Sequence, residues 1–212
     1  MSESIDFSKL SINQLEETEH IESFNCGDSD LNDFILSESQ LYQVALLAVT
    51  YVAKIENRVI AYFSLANDRV SLGDFESKTE FNRFRKHRFI NEKRIKSYPA
   101  VKVCRFAVDK CYAGSGIGTI LLDFIKGYFL HANKTGCRFV TVDAYLKAIP
   151  FYERNNFSPM QPNDNDEHTR LYYFDLNDYC GSNDKINQQF FFFRFYAHLD
   201  HLLFFLPEPL PH

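Results

Sequence analysis

The sequence lacks the features that mark secreted or metal-binding proteins. Its five cysteines include no C-x-x-C pair, and their odd number predicts reduced thiols rather than a disulfide framework or a metal site. The N-terminal stretch MSESIDFSKL is polar and acidic, so we expect no secretory signal. A formal net charge of −5 argues against general nucleic-acid binding. These absences favour a cytoplasmic protein that holds no metal.

The sequence also lacks an apolar run that could cross a membrane as a clean helix. The most apolar stretch, Phe190 to Leu206, is shorter than the ~20 residues that such a helix needs, and Arg194 and Asp200 interrupt it. Its composition differs so sharply from the preceding chain that we predict a domain of residues 1–177 and an atypical Phe-rich extension of residues 178–212. The extension could serve as a docked helix, an oligomer contact such as that of a homodimer, or a poorly ordered tail.

The stretch from Val101 to Asp123 predicts a strand, a tight turn and a helix in direct succession. Apolar and β-branched residues from Val101 to Val108 indicate a buried strand that closes at Asp109. Apolar residues recur at helical spacing from Leu121 onwards, so the glycine-rich turn lies at a helix N-terminus. Free backbone N–H groups and the positive end of the helix dipole meet there, which suits a phosphate or pyrophosphate.

Four interpretations of this turn can be compared. A Rossmann fingerprint requires G-x-G-x-x-G, whereas Gly114, Gly116 and Gly118 are spaced G-x-G-x-G. A P-loop requires G-K-(S/T), but Thr119 follows Gly118 with no lysine between them. A strand-to-helix turn without a ligand is the third interpretation. The stretch from Ala113 to Gly118 also resembles the acetyl-CoA loop of the GNAT acetyltransferases, (Q/R)-x-x-G-x-(G/A), with alanine in place of the first Gln or Arg.

A second signature downstream favours the GNAT interpretation. Arg138 to Ala144 predicts another buried strand, and Ala148 to Phe157 then resembles the GNAT motif A-x-x-F-Y-x-x-x-G-F. Asn156 replaces the glycine, a mild change because both residues tolerate the left-handed conformation that ends a helix. Two signatures in the right order are far more specific than either alone. The chain therefore resembles the GNAT acetyltransferases from about residue 8 to residue 177.

The resemblance implies an α/β fold: a central mixed, mostly antiparallel sheet flanked by helices, with two strands splayed apart. It also implies an N-acetyltransferase that moves the acetyl group of acetyl-CoA, its co-substrate, to a primary amine by direct attack in a ternary complex. Tyr152 occupies the general-acid position near the departing sulfur, although it could instead be a packing aromatic. The implied cofactor-binding residues are Phe106 and Val108 for pantetheine, Ala113, Gly114, Ser115, Gly116, Ile117, Gly118 and Thr119 for the pyrophosphate turn, and Phe151.

The general base is left open between Asp109, Asp143, Tyr145 and Glu153, all of which lie near the expected site. Because side chains alternate along a strand, only one of Asp143 and Ala144 can face the cleft. An α-amine, with a pKa of ~7.7, needs little help to become neutral, whereas a lysine at ~10.4 needs a base or a water relay. A site without a carboxylate would therefore favour an α-amine or another small amine.

The remaining chain predicts the other elements of the domain. We expect a first strand from Leu10 to Leu15, a helix capped by Asp28 or Ser29, a hairpin turning at Asn57-Arg58, one or two amphipathic helices between Phe81 and Ser97, a segment end at Pro99, and a last strand from Leu171 to Leu176. The hairpin strands should lie in the centre of the sheet, beside the strand that begins at Val101.

Two further features bear on the substrate. The segment from Phe81 to Ser97 carries eight basic residues, including Arg83 and Lys96, and suits either an anionic partner such as tRNA or a solvated helix face. The string F-x-C-G-x-x-x-L-N-x-F, from Phe24 to Phe34, resembles the GNAT branch that includes toxins acetylating aminoacyl-tRNA, although it also suits ordinary helix packing. The candidate functions are therefore a general N-acetyltransferase, an aminoacyl-tRNA-acetylating toxin and a non-catalytic CoA-binding module.

Overall fold

The computed structural model describes residues 6–86, 88–89, 95–131, 135–160 and 166–179. By its internal contacts the chain divides into two units, Met1–Asp178 and Tyr179–His212, and of the second unit only Tyr179 is described. The predicted division between residues 177 and 178 stays a prediction. The Phe-rich stretch from Phe190 to Leu206 lies outside the described residues.

The described part of the chain forms seven strands and five α-helices. The strands are β1 Ser11–Gln14, β2 Val49–Ile55, β3 Arg58–Ser71, β4 Ser97–Val108, β5 Phe139–Tyr145, β6 Ser158–Pro159 and β7 Thr169–Asp175. The helices are α1 Ser29–Asp33, which continues through a π-helical turn at Phe34–Glu38 into α2 Ser39–Val44, then α3 Lys78–Lys86, α4 Ile117–His131 and α5 Ile149–Arg154. Asp28 caps α1, accepting a hydrogen bond from the N–H of Leu31, as the sequence predicted.

The strands form one sheet in the order β1-β2-β3-β4-β5-β7-β6. Strands β4 and β5 run parallel, and the other neighbouring pairs of the described sheet run antiparallel. A parallel neighbour requires a crossover, and the segment between β4 and β5 that contains α4 supplies it. The predicted mixed, mostly antiparallel sheet is confirmed, with the hairpin strand β3 beside β4.

The β2–β3 hairpin turns one residue earlier than the sequence predicted. Ile55 pairs with Arg58, so the turn residues are Glu56 and Asn57, and Arg58 already belongs to β3. Both turn residues have positive φ, 49° and 68°. This pattern is that of a type I′ turn, whose twist matches the flanking strands, and the strand register therefore places a glutamate in a conformation usually left to glycine or asparagine.

The prediction that Pro99 ends the segment before the strand that begins at Val101 was wrong. Strand β4 begins at Ser97, and Pro99 lies inside it, opposite Arg69 of β3. Proline has no N–H to donate, but its carbonyl still accepts a hydrogen bond from the N–H of Arg138 at 2.9 Å. Proline is therefore tolerated here because the ladder uses its acceptor.

The sheet is covered on both faces. On one face, hereafter the α1 face, Tyr62 packs among Phe24 and Phe34, and its hydroxyl donates to the carbonyl of Leu31 at 2.6 Å. The same face carries Phe139, on which Phe84 of α3 packs. On the opposite face, the α4 face, the fully buried Leu121, Leu122 and Ile125 pack, and Phe124 contacts Phe63. Packed side chains therefore bury the sheet on both faces.

Candidate functional site

Strands β4 and β5 separate in the middle of the sheet. Their parallel pairing runs from Ala100 opposite Phe139 to Val103 opposite Val142. Beyond this point β4 follows β3 and β5 follows β7, so the two strands diverge towards their C-terminal ends. Cys104 is an extra residue in β4, because Val103 and Arg105 pair with consecutive residues of β3. Such a bulge bends its strand, which explains why the separation starts there. The predicted splay is confirmed.

The backbone of Phe106 and Val108 faces the gap that opens between the two strands. The N–H of Asp109 donates to the carbonyl of Ile60 in β3 at 2.9 Å. Backbone groups alternate in direction along a strand, so Asp109, Ala107 and Arg105 point towards β3. Phe106 and Val108 therefore direct their N–H and C=O groups to the other side, where β5 has moved away.

The glycine-rich turn places a set of backbone N–H groups at the N-terminus of α4. Gly114 and Gly116 have φ angles of 75° and 91°, a region that side chains rarely adopt. The helix begins at Ile117, and its first bond runs from the N–H of Ile120 to the carbonyl of Gly116 at 3.2 Å. The N–H groups before it have no carbonyl in the helix to bond. Ser115 donates its N–H to the Tyr112 carbonyl at 3.3 Å and Ile117 donates its N–H to the Ser115 hydroxyl at 3.4 Å, so the N–H groups of Gly116, Gly118 and Thr119 remain at the positive end of the helix. An anion fits this arrangement.

The two sequence signatures meet at Gly118 and Phe151. A Cβ atom at Gly118 would lie 3.1 Å from two ring carbons of Phe151 and 3.7 Å from the ring of Phe106. The rings of Phe106 and Phe151 are 5.8 Å apart between centroids. The glycine is therefore required for close packing, and the contact joins the first turn of α4 to α5 and to the splayed part of β4.

Tyr152 lies in α5 beside this contact and is 5% exposed. Its ring makes edge contacts with Phe151 and Phe157, at centroid distances of 5.2 and 5.5 Å. Burial raises the pKa of the Tyr152 phenol, so the group is protonated at physiological pH and has a proton to donate. The helix ends as predicted, with Asn156 in the left-handed conformation at a φ of 65°.

Lys126 is a buried charge that the sequence interpretation missed. Its side chain is 3% exposed, and its ammonium donates to the carbonyl of Asn155 at 3.0 Å and to Asp123 at 3.4 Å. The nitrogen also lies 4.4 Å from the centroid of the Phe174 ring. Burial lowers the pKa of Lys126, and Asp123 offsets this only in part. A signal was available, because Lys126 follows Leu122 by four residues and thus falls on the apolar stripe of α4.

Two of the four candidates for the general base form hydrogen bonds that stabilise the fold. Asp109 is buried and accepts hydrogen bonds from the N–H groups of Asn25 at 3.3 Å and Cys111 at 2.9 Å, with Arg58 at 3.8 Å. Glu153 accepts a hydrogen bond from the Tyr172 hydroxyl at 2.9 Å. These carboxylates therefore tie together loops and elements that are distant in the sequence.

Asp143 borders a groove on the α1 face of the sheet. The groove has a volume of about 400 Å³ and is lined by Asp68, Arg69, Val70, Gly73, Asp74, Lys102, Thr141, Asp143, Met160 and Leu171. Asp143 is partly exposed and forms an ion pair with Lys102. Burial lowers the pKa of Lys102, but the hydrogen bond and charge of Asp143, with Asp68 behind it, outweigh burial and leave that pKa raised. Ala144 faces the opposite side and is buried.

The described part of the basic segment is only partly available to a ligand. Arg88 pairs with Asp175 at 3.3 Å and donates to the Tyr173 hydroxyl at 3.0 Å, while Arg85 donates to the carbonyl of Ile95 at 3.1 Å. Arg83, Lys86 and Lys96 are exposed, and Arg83 pairs with Glu80 of its own helix. His87, Lys93 and Arg94 lie outside the described residues.

The described residues contain neither a metal-binding cluster nor a membrane-spanning helix. No group of His, Cys, Asp and Glu side chains among them could hold a metal ion. No helix in the same part of the chain has the length and apolar character needed to cross a membrane.

Comparison with known families agrees with this site. The model of the acetyltransferase (GNAT) domain matches residues 47–159, which include the splayed strands, the glycine-rich turn and Tyr152. The chain therefore belongs to the GNAT acetyltransferases. It is an N-acetyltransferase, and its co-substrate is acetyl-CoA. A search of curated proteins by sequence found no match.

Solved structures with the same fold include those of KacT and of the toxin AtaT. The Y145F mutant of KacT, in that protein's own numbering, matches with a TM-score of 0.65 and 21% identity, over 80% of this chain and 96% of that chain. AtaTR bound with acetyl-CoA matches with a TM-score of 0.64 and 21% identity, over 80% and 95%. AtaT complexed with acetyl-methionyl-tRNAfMet matches with a TM-score of 0.62 and 20% identity, over 79% and 95%. At these identities the likeness shows the fold.

Proposed function

We propose that this acetyltransferase binds acetyl-CoA across the gap between β4 and β5. Pantetheine lies in the gap, and its amides pair with the backbone of Phe106 and Val108. The pyrophosphate lies on the N–H groups of the turn from Ala113 to Thr119, and Phe151 packs beside it. The observation that carries this proposal is that the gap, the turn and Phe151 converge at Gly118, because its missing side chain lets all three approach.

The acetyl group then moves by direct attack of the acceptor amine on the thioester, and Tyr152 protonates the departing sulfur. The new C–N bond forms in a tetrahedral intermediate, and the C–S bond breaks as it collapses. Transfer from a phenol of pKa ~10 to a thiolate whose thiol has a pKa of ~8.5 costs about 2 kcal/mol in water. Burial disfavours both anions, so desolvation of the thiolate offsets the raised pKa of Tyr152.

Calorimetric titration with acetyl-CoA tests the proposed cofactor site. Wild-type protein should bind acetyl-CoA with a dissociation constant in the micromolar range, and Gly116→Glu should abolish binding by placing a negative charge in the turn. Gly136→Glu is the control for the added charge, because Gly136 precedes β5 at the end of that strand away from the gap, and no atom lies within 4 Å of its Cβ position. It should still bind acetyl-CoA. Absence of binding to wild type at millimolar acetyl-CoA would contradict the proposal.

A second candidate function is acetylation of the amino group of aminoacyl-tRNA. Three observations favour it: the AtaT complex with acetyl-methionyl-tRNAfMet shares this fold, the Phe24 to Phe34 string resembles that branch, and exposed cations such as Lys86 and Lys96 offer phosphate contacts. The net charge of −5 weighs against it. Incubation with labelled acetyl-CoA and charged tRNA tests it, and growth arrest on expression that Tyr152→Phe relieves would support it.

The other proposals concern the setting of the enzyme. We place it in the cytoplasm, where acetyl-CoA and charged tRNA are both available, and propose that the catalytic domain is residues 1–177 with residues 178–212 as an extension. A homodimer through the extension is a further proposal, supported by the apolar composition of Phe190 to Leu206. Sedimentation of the full chain beside a chain ending at Asn177 tests both the domain division and the dimer.

A further inference from the structure

We infer that the groove bordered by Lys102 and Asp143 takes the acceptor amine, and that Asp143 receives the proton the amine must lose. The inference rests on the proposed function, because it requires acetyl-CoA in the gap between β4 and β5. The ligand class is a primary amine that arrives as an ammonium ion at neutral pH.

The groove opens where the gap begins. The last paired residues of the two strands are Val103 and Val142. Lys102 directly precedes the first of these and Asp143 directly follows the second, and both side chains line the groove. The groove and the start of the gap are therefore formed by neighbouring residues of β4 and β5. An amine in the groove lies beside any group held in the gap.

The charges of the groove suit an ammonium ion. Its lining contains three carboxylates, those of Asp68, Asp74 and Asp143, against the two cations of Lys102 and Arg69. Asp74 accepts hydrogen bonds from the backbone and hydroxyl of Ser71, and Asp68 accepts one from Thr141. Asp143 is different, because its side chain is 45% exposed and has the Lys102 ammonium as its partner. The site thus already holds one alkylammonium, and an acceptor ammonium has the same chemistry.

The other base candidates are placed elsewhere. Asp109 accepts hydrogen bonds from backbone N–H groups and lies near Arg58, and Glu153 accepts one from the Tyr172 hydroxyl. Tyr145 is exposed at the end of β5, with the Lys147 ammonium 5.5 Å from its ring centroid. Of the four candidates from the sequence, Asp143 alone lines the groove. A carboxylate in the acceptor groove also means that a strongly basic amine can be deprotonated, so the acceptor need not be an α-amine.

The proton balance is complete with the groups at hand. The acceptor ammonium gives one proton to Asp143, and the neutral amine attacks the thioester carbonyl to form the C–N bond. The C–S bond then breaks, the thiolate takes the proton of Tyr152, and the nitrogen loses its second proton, which restores the phenol. Asp143 returns its proton to water, so the overall reaction releases one proton per acetyl group transferred.

The test compares two amines that differ in basicity, methionine methyl ester with an α-amine and Nα-acetyl-lysine methylamide with an ε-amine. Asp143→Asn should lower the rate of acetyl transfer to the ε-amine at pH 7 by at least about 100-fold, and to the α-amine by about tenfold, because about a sixth of the α-amine is already neutral at pH 7, against about one in 2,500 of the ε-amine. The loss for the ε-amine should shrink as the pH rises. Asp33→Asn, the same change at an exposed carboxylate of α1, should leave both rates unchanged.

The remaining outcomes each bear on the inference. An equal loss for both amines at every pH would indicate a structural role for Asp143 and overturn the inference. Acetyl-CoA binding by wild type without transfer to either amine would also overturn it, while leaving the cofactor site intact. No acetyl-CoA binding at all would instead overturn the proposed function. Asp143→Asn should keep the unfolding temperature and acetyl-CoA affinity of wild type, which separates lost chemistry from lost folding.

Discussion

Lys126 and Asn155 are joined by a hydrogen bond within the interior of the protein, from the ammonium to the carbonyl at 3.0 Å. The bond connects the middle of α4 to the residue that follows α5. The glycine-rich turn lies at the start of α4, and Tyr152 lies in α5. The Lys126 hydrogen bond therefore links the two helices that carry the two family signatures. A charge in this position must be stabilised by its partners, since burial alone disfavours it.

We predict that Lys126 makes stability depend on pH in the alkaline range. Its folded pKa is lowered, so the unfolded chain binds more protons between that pKa and about 10.5. The free energy of unfolding of wild type should therefore rise, relative to Lys126→Met, as the pH increases through this range. Urea unfolding of both proteins at pH 7 and pH 10 measures the difference. A constant difference would show that Lys126 keeps its ordinary pKa.

Replacing Gly118 by alanine should weaken cofactor binding more than it weakens the fold. The new methyl group would press on the ring of Phe151, 3.1 Å away, and displace it from Phe106. Alanine is better than glycine by up to about 1 kcal/mol in a helix, which offsets part of the strain. We expect about a tenfold weaker acetyl-CoA affinity by calorimetry, or about 1.4 kcal/mol. Gly136→Ala, with no atom within 4 Å of its new methyl group, should bind as wild type.

Tyr152→Phe should lower the rate of acetyl transfer and leave the affinity for acetyl-CoA unchanged. Loss of a general acid typically costs a factor of about 100 to 10,000, so kcat should fall within that range while the dissociation constant of acetyl-CoA stays unchanged. Tyr42→Phe is the control, because Tyr42 lies in α2 and its ring packs on Phe34. Full activity in Tyr152→Phe would assign this tyrosine to packing.

Asp109→Ala should destabilise the protein rather than change its pH–rate profile. The substitution removes the buried carboxylate that accepts hydrogen bonds from the N–H groups of Asn25 and Cys111, two exposed residues. A hydrogen bond to a charged group contributes about 1.5–3 kcal/mol, and the freed N–H groups can bond to water, so we expect a loss near the lower value. Denaturant unfolding should show a loss of this size. An altered pH dependence of acetyl transfer with unchanged stability would instead assign Asp109 to the chemistry.

Local features of the domain could be predicted from the sequence because they depend on neighbours in the chain. The cap at Asp28, the left-handed Asn156 and the turn between β4 and α4 follow from residue preferences over a few positions. Pro99 and the hairpin turn were predicted wrongly because strand register decided them. Pairing of Ile55 with Arg58 outweighed the local preference for a turn at Asn57-Arg58.

The candidate site divides in the same way. By itself the sequence determined the two GNAT signatures, and with them the fold, the enzyme class and the cofactor. Only the tertiary structure decided that Gly118 packs on Phe151, that Lys126 binds the end of α5, and that Asp143 rather than Asp109 faces the groove. The physical reason is that the type of a residue determines what its side chain can bind, whereas contacts between residues far apart in the sequence determine where that side chain points.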